Sequence, residues 1–129
     1  MKITSAQKRA LVEAMRPDGF RCSLANSAPA VKLIKLGLAT YVFKNLYGNG
    51  TLIATMAGRA LLLKQNARVM FQGTPHNGIE SGRKGIVIGE PDKANMVAVS
   101  WDDPDPVPEC YVAISGESLT DLLPIELIL

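Results

Sequence analysis

A short basic helix that stops at a glycine is the feature of this chain that most constrains its fold. The pattern of apolar residues predicts a helix over 28–36, and Ser27 is placed to cap its first turn. Gly37 follows directly, at the position where a helix C-terminus favours positive φ. Lys32 and Lys35 are i,i+3 neighbours, so both charges are expected on one solvent-exposed side. The chain is therefore expected to reverse direction after a helix that is basic on its outer side.

A hairpin and a second helix are predicted after this reversal. Residues 38–44 and 51–54 are rich in β-branched and aromatic residues, as strands are. Gly48-Asn49-Gly50 lies between the two runs and favours a turn, so they are expected to pair as a hairpin. Thr55 suits the N-cap of a helix over 56–65.

The N-terminal segment predicts one more helix. Thr4 and Gln7 have the spacing of a capping box, and the apolar period favours a helix over 4–15. Pro17-Asp18-Gly19 then favours a turn. Residues 20–26 are too few for a full helix, and either a short strand or a single helical turn is expected there.

Charge divides the chain into two parts. The 129 residues carry a net charge of +2, but residues 1–68 hold eleven Lys and Arg against two acids, a charge of +9. Residues 69–129 hold three Lys and Arg against ten acids, a charge of −7. A split of this size indicates two modules with different partners, and the basic module suits nucleic acid. The polar run 64–68 is the expected junction, which gives domains 1–66 and 67–129.

The C-terminal half has the period of β-strands. Short runs rich in β-branched residues, separated by loops of Gly, Pro, Asp and Asn, predict strands at 68–71, 85–89, 96–101, 110–115 and 124–129. A turn of helix is expected at 118–123. Short strands at this spacing favour a small five-stranded β-barrel. With the N-terminal helices, the predicted fold class is α+β.

Two short motifs flank the predicted hairpin. Leu36-Gly37-Leu38-Ala39 is similar to the sequence that follows the recognition helix of winged-helix proteins, and Thr55-Met56-Ala57-Gly58-Arg59 is similar to the one that follows their wing. Over residues 3–66 the chain thus resembles the winged-helix DNA-binding fold, although 20–26 leave little room for the helix that precedes a recognition helix. The DNA-binding residues that the resemblance implies are Lys32, Lys35, Lys44, Asn45, Tyr47, Asn49 and Arg59.

Two strand motifs characterise the second half. Gly85-Ile86-Val87 and the run Val97 to Asp102 are similar to strands of Src-homology-3-like barrels of the KOW kind, and the resemblance covers residues 67–128. The acidic charge would repel phosphate, so this barrel is expected to contact a protein or a second copy of the chain. A barrel that only stabilises the winged helix is the other interpretation. The expected contact residues are Trp101, Asp102, Asp103, Asp105 and Glu109.

No residue set in the sequence specifies a reaction, a metal site or a cofactor. His76 is the only histidine, so a catalytic relay would lack partners. Cys22 and Cys110 do not have the clustered spacing of a zinc site, and both are expected to be reduced. The run 102–105 lacks the glycine and distal glutamate of a calcium loop. No apolar run approaches the ~20 residues that cross a bilayer, and without a signal peptide a cytoplasmic location is expected.

These features predict a small DNA-binding protein that is not an enzyme. The winged helix would bind DNA and the barrel a protein, as in a transcriptional regulator or a phage-type accessory protein. Because lysine contacts phosphate as a point charge, the DNA affinity is expected to depend strongly on salt. The alternative is a protein-interaction or inhibitor protein in which the winged helix does not bind DNA.

Overall fold

The computed structural model describes residues 2–24, 27–43, 49–75, 79–102 and 113–125. They form an α+β protein with two compact units, of which the first ends at Arg59 and the second begins at Ala60. The elements are α1 (Ser5–Ala14), β1 (Phe20–Ser23), α2 (Ala28–Lys35), β2 (Ala39–Phe43), β3 (Asn49–Ala54), α3 (Met56–Leu62), β4 (Arg68–Phe71), β5 (Lys84–Val87), β6 (Met96–Trp101), β7 (Ile114–Ser118), a 3-10 turn (Leu119–Asp121) and β8 (Leu122–Pro124). The predicted division into domains 1–66 and 67–129 stays a prediction.

The capping box at the start of α1 is present as the sequence predicts. The backbone N–H of Gln7 donates to Thr4 Oγ1 at 3.1 Å, and the Thr4 N–H donates to Gln7 Oε1 at 2.9 Å. Two N–H groups that the helix leaves without a partner are thereby satisfied. The inner side of α1 is buried, with Leu11 and Ala14 fully inaccessible, so α1 is held by packing as well as by its cap.

Residues 20–23 form a strand, which decides between the two expectations for that segment. The first-unit sheet is antiparallel, with strand order β1-β3-β2. Phe20 of β1 and Tyr41 of β2 both stand opposite Leu52 of β3, which is completely buried. The predicted turn at 48–50 is corrected in part, because Asn49 and Gly50 belong to β3. A turn preference was overridden there by pairing with β1, a partner distant in the sequence.

A five-stranded antiparallel sheet makes up the second unit, with strand order β7-β6-β5-β4-β8. Every second residue of β6 is buried, and Trp101 packs edge-on against Phe71 with ring centroids 6.0 Å apart. The 3-10 turn confirms the helical turn expected near 118–123. The last two strands lie at 114–118 and 122–124, whereas 110–115 and 124–129 were predicted; positions 110–112 and 126–129 lie outside the described residues.

The predicted barrel is not closed in the part of the chain that the structure describes. Closure would require β7 to pair with β8, but β7 pairs with β6 and β8 pairs with β4. A single 3-10 turn separates the two strands and carries β8 to the far side of β4. The sheet therefore has two edges, and β7 is one of them.

Candidate nucleic-acid interface

The helix α2 has one buried side and one basic side. Ala30 and Leu33 are fully buried, while Lys32 and Lys35 are exposed. The Ser27 hydroxyl accepts the N–H of Ala30 at 3.4 Å, which is long for a cap. Both lysines lie in the last turn of α2, where the helix dipole favours positive charge. The i,i+3 spacing thus places two cations together on a solvent-facing surface, as the sequence predicts.

The tip of the hairpin lies outside the described residues. Lys44, Asn45 and Tyr47 belong to that segment, and of Asn49 only the backbone, in β3, is described. The roles expected for these residues in DNA contact therefore stay predictions. The strands β2 and β3 beside the tip are antiparallel neighbours, so the hairpin itself is confirmed.

Four residues join the base of the hairpin to the helices on either side, and we call them the hairpin base junction: Gly37, Leu38, Thr55 and Gly58. The Thr55 N–H donates to the Leu38 carbonyl at 3.0 Å, and the Thr55 hydroxyl donates to the Gly37 carbonyl at 2.8 Å. The same hydroxyl oxygen accepts the Gly58 N–H at 3.1 Å. Thr55 is thus the N-cap that the sequence predicts, and it also fixes the end of α2 to the start of α3.

Arg59 has a structural position. Its side chain is only 7% exposed, and one guanidinium nitrogen donates to the Met15 carbonyl at 3.3 Å. That carbonyl belongs to the C-cap of α1, so the arginine satisfies a group that the helix leaves without a partner. A side chain this buried offers little surface to DNA. The threonine, glycine and arginine of the motif at 55–59 therefore share one structural task, which is to fix α3 to neighbouring elements.

Tyr41 contributes a contact that the sequence did not indicate. Its hydroxyl donates to the backbone carbonyl of Cys22, so a side chain from β2 reaches β1 across the intervening β3. Gly50, which stands opposite Cys22 on β3, has no side chain in the way. Burial raises the pKa of the Cys22 thiol, and Cys22 is a free cysteine. Tyr41 and Cys22 are 19 residues apart, so no local sequence pattern predicts the hydrogen bond between them.

An open cleft of about 360 Å³ lies in the first unit, between α1, the start of β1 and the start of α2. Most of its lining is apolar, and one cation and one carboxylate border it. The lining residues are Ala6, Arg9, Ala10, Glu13, Phe20, Ser27 and Pro29. The cleft is shallow and largely open to solvent, and no side chain in it was predicted from the sequence as functional.

Two of the residues expected to contact a protein are described, and each has a partner within the second unit. Trp101 is 4% exposed, and its indole N–H donates to Ser115 Oγ at 2.8 Å. Asp102 receives two hydrogen bonds from the Arg68 guanidinium, at 2.8 and 2.9 Å. Those bonds hold the pKa of the Asp102 carboxyl below its usual value. The other three expected residues, Asp103, Asp105 and Glu109, lie outside the described part of the chain.

The Arg68–Asp102 pair was also not foreseen, because its members are 34 residues apart and only the strand pairing brings them together. Arg83 lies over the Trp101 ring, 5.9 Å from its centre, and donates to the Asp102 backbone carbonyl at 3.3 Å. Arg68 and Arg83 therefore both lie beside Asp102, the first acid of the run 102–105.

Within the described ranges, no group of three or more His, Cys, Asp or Glu side chains is arranged to hold a metal ion. Nor is any helix there long and apolar enough to cross a bilayer. Comparison of the chain with protein-family models, with curated proteins and with solved structures gave no significant match. The candidate interface therefore consists of two exposed lysines on a short helix beside a hairpin.

Proposed function

We propose that this chain is a small DNA-binding protein whose first unit is a winged helix. The element order from α1 to α3 and the three-stranded sheet with β3 in its centre support that interpretation. A strand, β1, stands where that family has room for a further helix, so α2 would approach DNA without the usual preceding helix. The role that we propose for it is that of a small transcriptional regulator or a phage-type accessory protein.

The observation that carries the proposal is the pair of exposed lysines on α2. Neither lysine has a carboxylate partner among the ion pairs of the described residues, and the buried side of the helix fixes both outward. The two ammonium groups lie three residues apart in the last turn of the helix, so together they form a small positive surface that favours an anionic partner. A DNA backbone supplies such anions at regular spacing, and lysine binds them as a point charge.

Base readout would depend on the hairpin. Asparagine has the geometry for two hydrogen bonds to adenine, and Asn45 and Asn49 are the asparagines predicted for that role. Arg59 is left out of the proposed contacts because it is buried. Most of the affinity would then come from phosphate, and sequence preference would be modest.

The test is duplex binding by the full chain, measured by fluorescence anisotropy between about 50 and 200 mM salt. The double variant Lys32→Glu, Lys35→Glu is expected to bind at least about tenfold more weakly, and the slope of log K against log salt should fall by about 2, since two phosphate contacts are lost. Lys64→Glu with Lys93→Glu is the matched control. It changes the net charge equally at two exposed positions outside α2 and should retain the wild-type slope.

Absence of duplex binding at the lowest salt would contradict the proposal and leave the competing function, a protein-interaction or inhibitor protein. Equal loss of binding in both double variants would assign the affinity to overall charge and remove α2 from the interface. For the second unit, we propose a Src-homology-3-like sheet, which the strand order and the 3-10 turn before β8 support. Contact of this sheet with a protein stays a prediction.

A further inference from the structure

The strand β7 forms an exposed edge of the second-unit sheet. It pairs with β6 on one side, and Ile114 on β7 is 58% exposed, the most exposed of the large hydrophobic residues described. Ile86 of β5 lies on the same sheet face, since both residues stand opposite Ser100 of β6, and it is 37% exposed. The edge therefore exposes one large apolar side chain, that of Ile114, and Ile86 lies on the same sheet face two strands away.

The backbone of β7 has hydrogen-bonding groups directed away from the sheet. The Trp101 N–H donates to the Ala113 carbonyl at 2.8 Å, so Ala113 faces β6. The direction of the backbone N–H and C=O groups alternates from one residue to the next along an antiparallel strand. Ser115 and Glu117 therefore also bond to β6, whereas Ile114 and Gly116 direct their N–H and C=O groups away from the sheet. These outward groups form no hydrogen bond with the described residues. They form a short template for one further strand.

Edge strands are commonly protected by proline, lysine or short length, and the two edges of this sheet differ in that respect. The opposite edge, β8, has three buried residues and ends at Pro124, which has no N–H to offer. Residues 113–118 contain neither proline nor lysine, and their one charged residue, Glu117, is 1% exposed. Of the two sheet edges in the described residues, β7 is therefore the one that carries neither a proline nor an exposed charge.

The spacing of Ile114 and Gly116 makes this edge complementary to itself. An antiparallel copy placed about Ser115 sets each Ile114 opposite the partner's Gly116, so a large side chain lies beside a residue that has none. The space around Gly116 is open, because a Cβ added there would meet nothing within 4 Å. Placing the axis at Gly116 would instead set glycine opposite glycine and leave that space empty. Like charges do not meet in the first arrangement, since Glu117 stands opposite the partner's Ala113.

We propose that two copies of the chain associate through β7, about a two-fold axis at Ser115, into one continuous antiparallel sheet. In it, each Ile114 exchanges both backbone hydrogen bonds with the partner's Gly116, and the sheet faces that carry the two Ile114 side chains lie on the same side of the joined sheet. This inference does not depend on DNA binding by the first unit.

The mass of the full chain in solution tests the proposal. Sedimentation equilibrium of the wild type should give twice the 13.9 kDa of one chain, with dissociation in the micromolar range. Ile114→Lys should weaken the association about 100-fold, because each substitution acts twice in a two-fold dimer. Gly116→Pro should act likewise by removing an outward N–H, and an edge strand tolerates proline when that N–H faces away from the sheet.

Ile88→Lys is the matched control, because Ile88 is a 43% exposed isoleucine of the second unit that does not lie on β7. It should dimerise like the wild type. A wild type that stays monomeric at the highest concentration overturns the proposal, whether or not the edge binds a peptide from another protein. A dimer that persists in both β7 variants, or that Ile88→Lys disrupts equally, also overturns it.

Cross-linking tests the position of the axis. In a variant whose two native cysteines are replaced by serine, Ser115→Cys should form a disulfide-linked dimer on mild oxidation, because residues on the axis lie close enough for that bond. Ile114→Cys lies opposite glycine and should cross-link far less. The reverse order of yields would exclude this axis.

Discussion

At the scale of single residues, Gly58 shows why a glycine is required early in α3. A Cβ built on it would lie 2.1 Å from the Leu38 carbonyl oxygen and 3.1 Å from Leu11 Cδ1. The carbonyl is backbone and already accepts the Thr55 N–H, so it has little freedom to move. Helix α3 can approach the Leu38 carbonyl this closely only because Gly58 has no side chain.

Gly58→Ala is therefore expected to destabilise the protein. Alanine would gain about 1 kcal/mol in helix propensity, but overpacking against a fixed carbonyl costs typically 1–3 kcal/mol, and at 2.1 Å the upper end applies. Urea unfolding followed by circular dichroism should show a net loss of about 1–2 kcal/mol in the free energy of unfolding. Ala57→Ser, at the exposed neighbouring position, also adds one heavy atom and should change little. A Gly58→Ala protein as stable as the wild type would contradict this expectation, because it would show that the Leu38 carbonyl can move away from the new Cβ.

At the scale of elements, the Arg68–Asp102 pair connects strands that are not neighbours. Arg68 lies on β4 and Asp102 directly follows β6, so the two side chains meet across β5. The two parallel N–H···O bonds are the strongest geometry for such a pair. Because the Asp102 side chain is 49% exposed, solvent screens the pair and limits its contribution to stability.

The pH dependence of stability follows from the lowered pKa of Asp102. The carboxyl is more acidic in the folded than in the unfolded protein, so its contribution is complete above the unfolded pKa, about 3.9, and is lost as the pH falls through the folded pKa. Carboxyl NMR titration should give Asp102 a pKa below the usual value, and Arg68→Met should raise that pKa toward the usual value, although Lys84 and Arg83 still lower it. An unchanged Asp102 pKa in Arg68→Met would contradict the assigned cause.

Local patterns were sufficient to predict several elements, and long-range pairing explains where they failed. The capping contacts of Thr4, Thr55 and Gly37 each reach only three residues along the chain, so the helix ends could be predicted from local sequence. Asn49 and Gly50 have turn preferences, but β1 recruits both into a strand.

In the candidate site, too, local properties could be predicted from the sequence and long-range contacts could not. The exposure of Lys32 and Lys35 follows from helical spacing and was predictable. The burial of Arg59 and Trp101 depends on Met15 and Phe71, which are distant in the sequence, so no local pattern reveals it.

At the scale of the whole molecule, the described surface shows the charge split mainly in the first unit. The first unit exposes Lys2, Arg9, Arg21, Lys32 and Lys35 against Asp18, whereas the second exposes Glu80, Glu90, Asp92 and Asp102 beside Lys64, Lys84 and Lys93. The net charge of +2 therefore does not describe the local surface charge that a charged partner encounters. Local fields decide such encounters, since screening limits each charge to a range of about 10 Å.

The full chain is accordingly expected to bind both cation and anion exchangers at neutral pH and low salt. A protein with an evenly spread charge of +2 would be retained by the cation exchanger alone. Lys32→Glu with Lys35→Glu should lower the salt at which the chain leaves the cation exchanger and leave its retention on the anion exchanger in place. Passage of the wild type straight through the anion exchanger would contradict the proposed surface.

The hairpin base junction has a mechanical consequence. Strand β2 begins directly after Leu38, and β3 ends directly before Thr55. The Leu38 carbonyl accepts the Thr55 N–H and lies close to Gly58. These hydrogen bonds connect the base of strands β2 and β3 to the start of α3, and Arg59 connects α3 to the C-cap of α1. We therefore expect a force that acts on β2 and β3 to be transmitted to both helices rather than absorbed at the base of the hairpin.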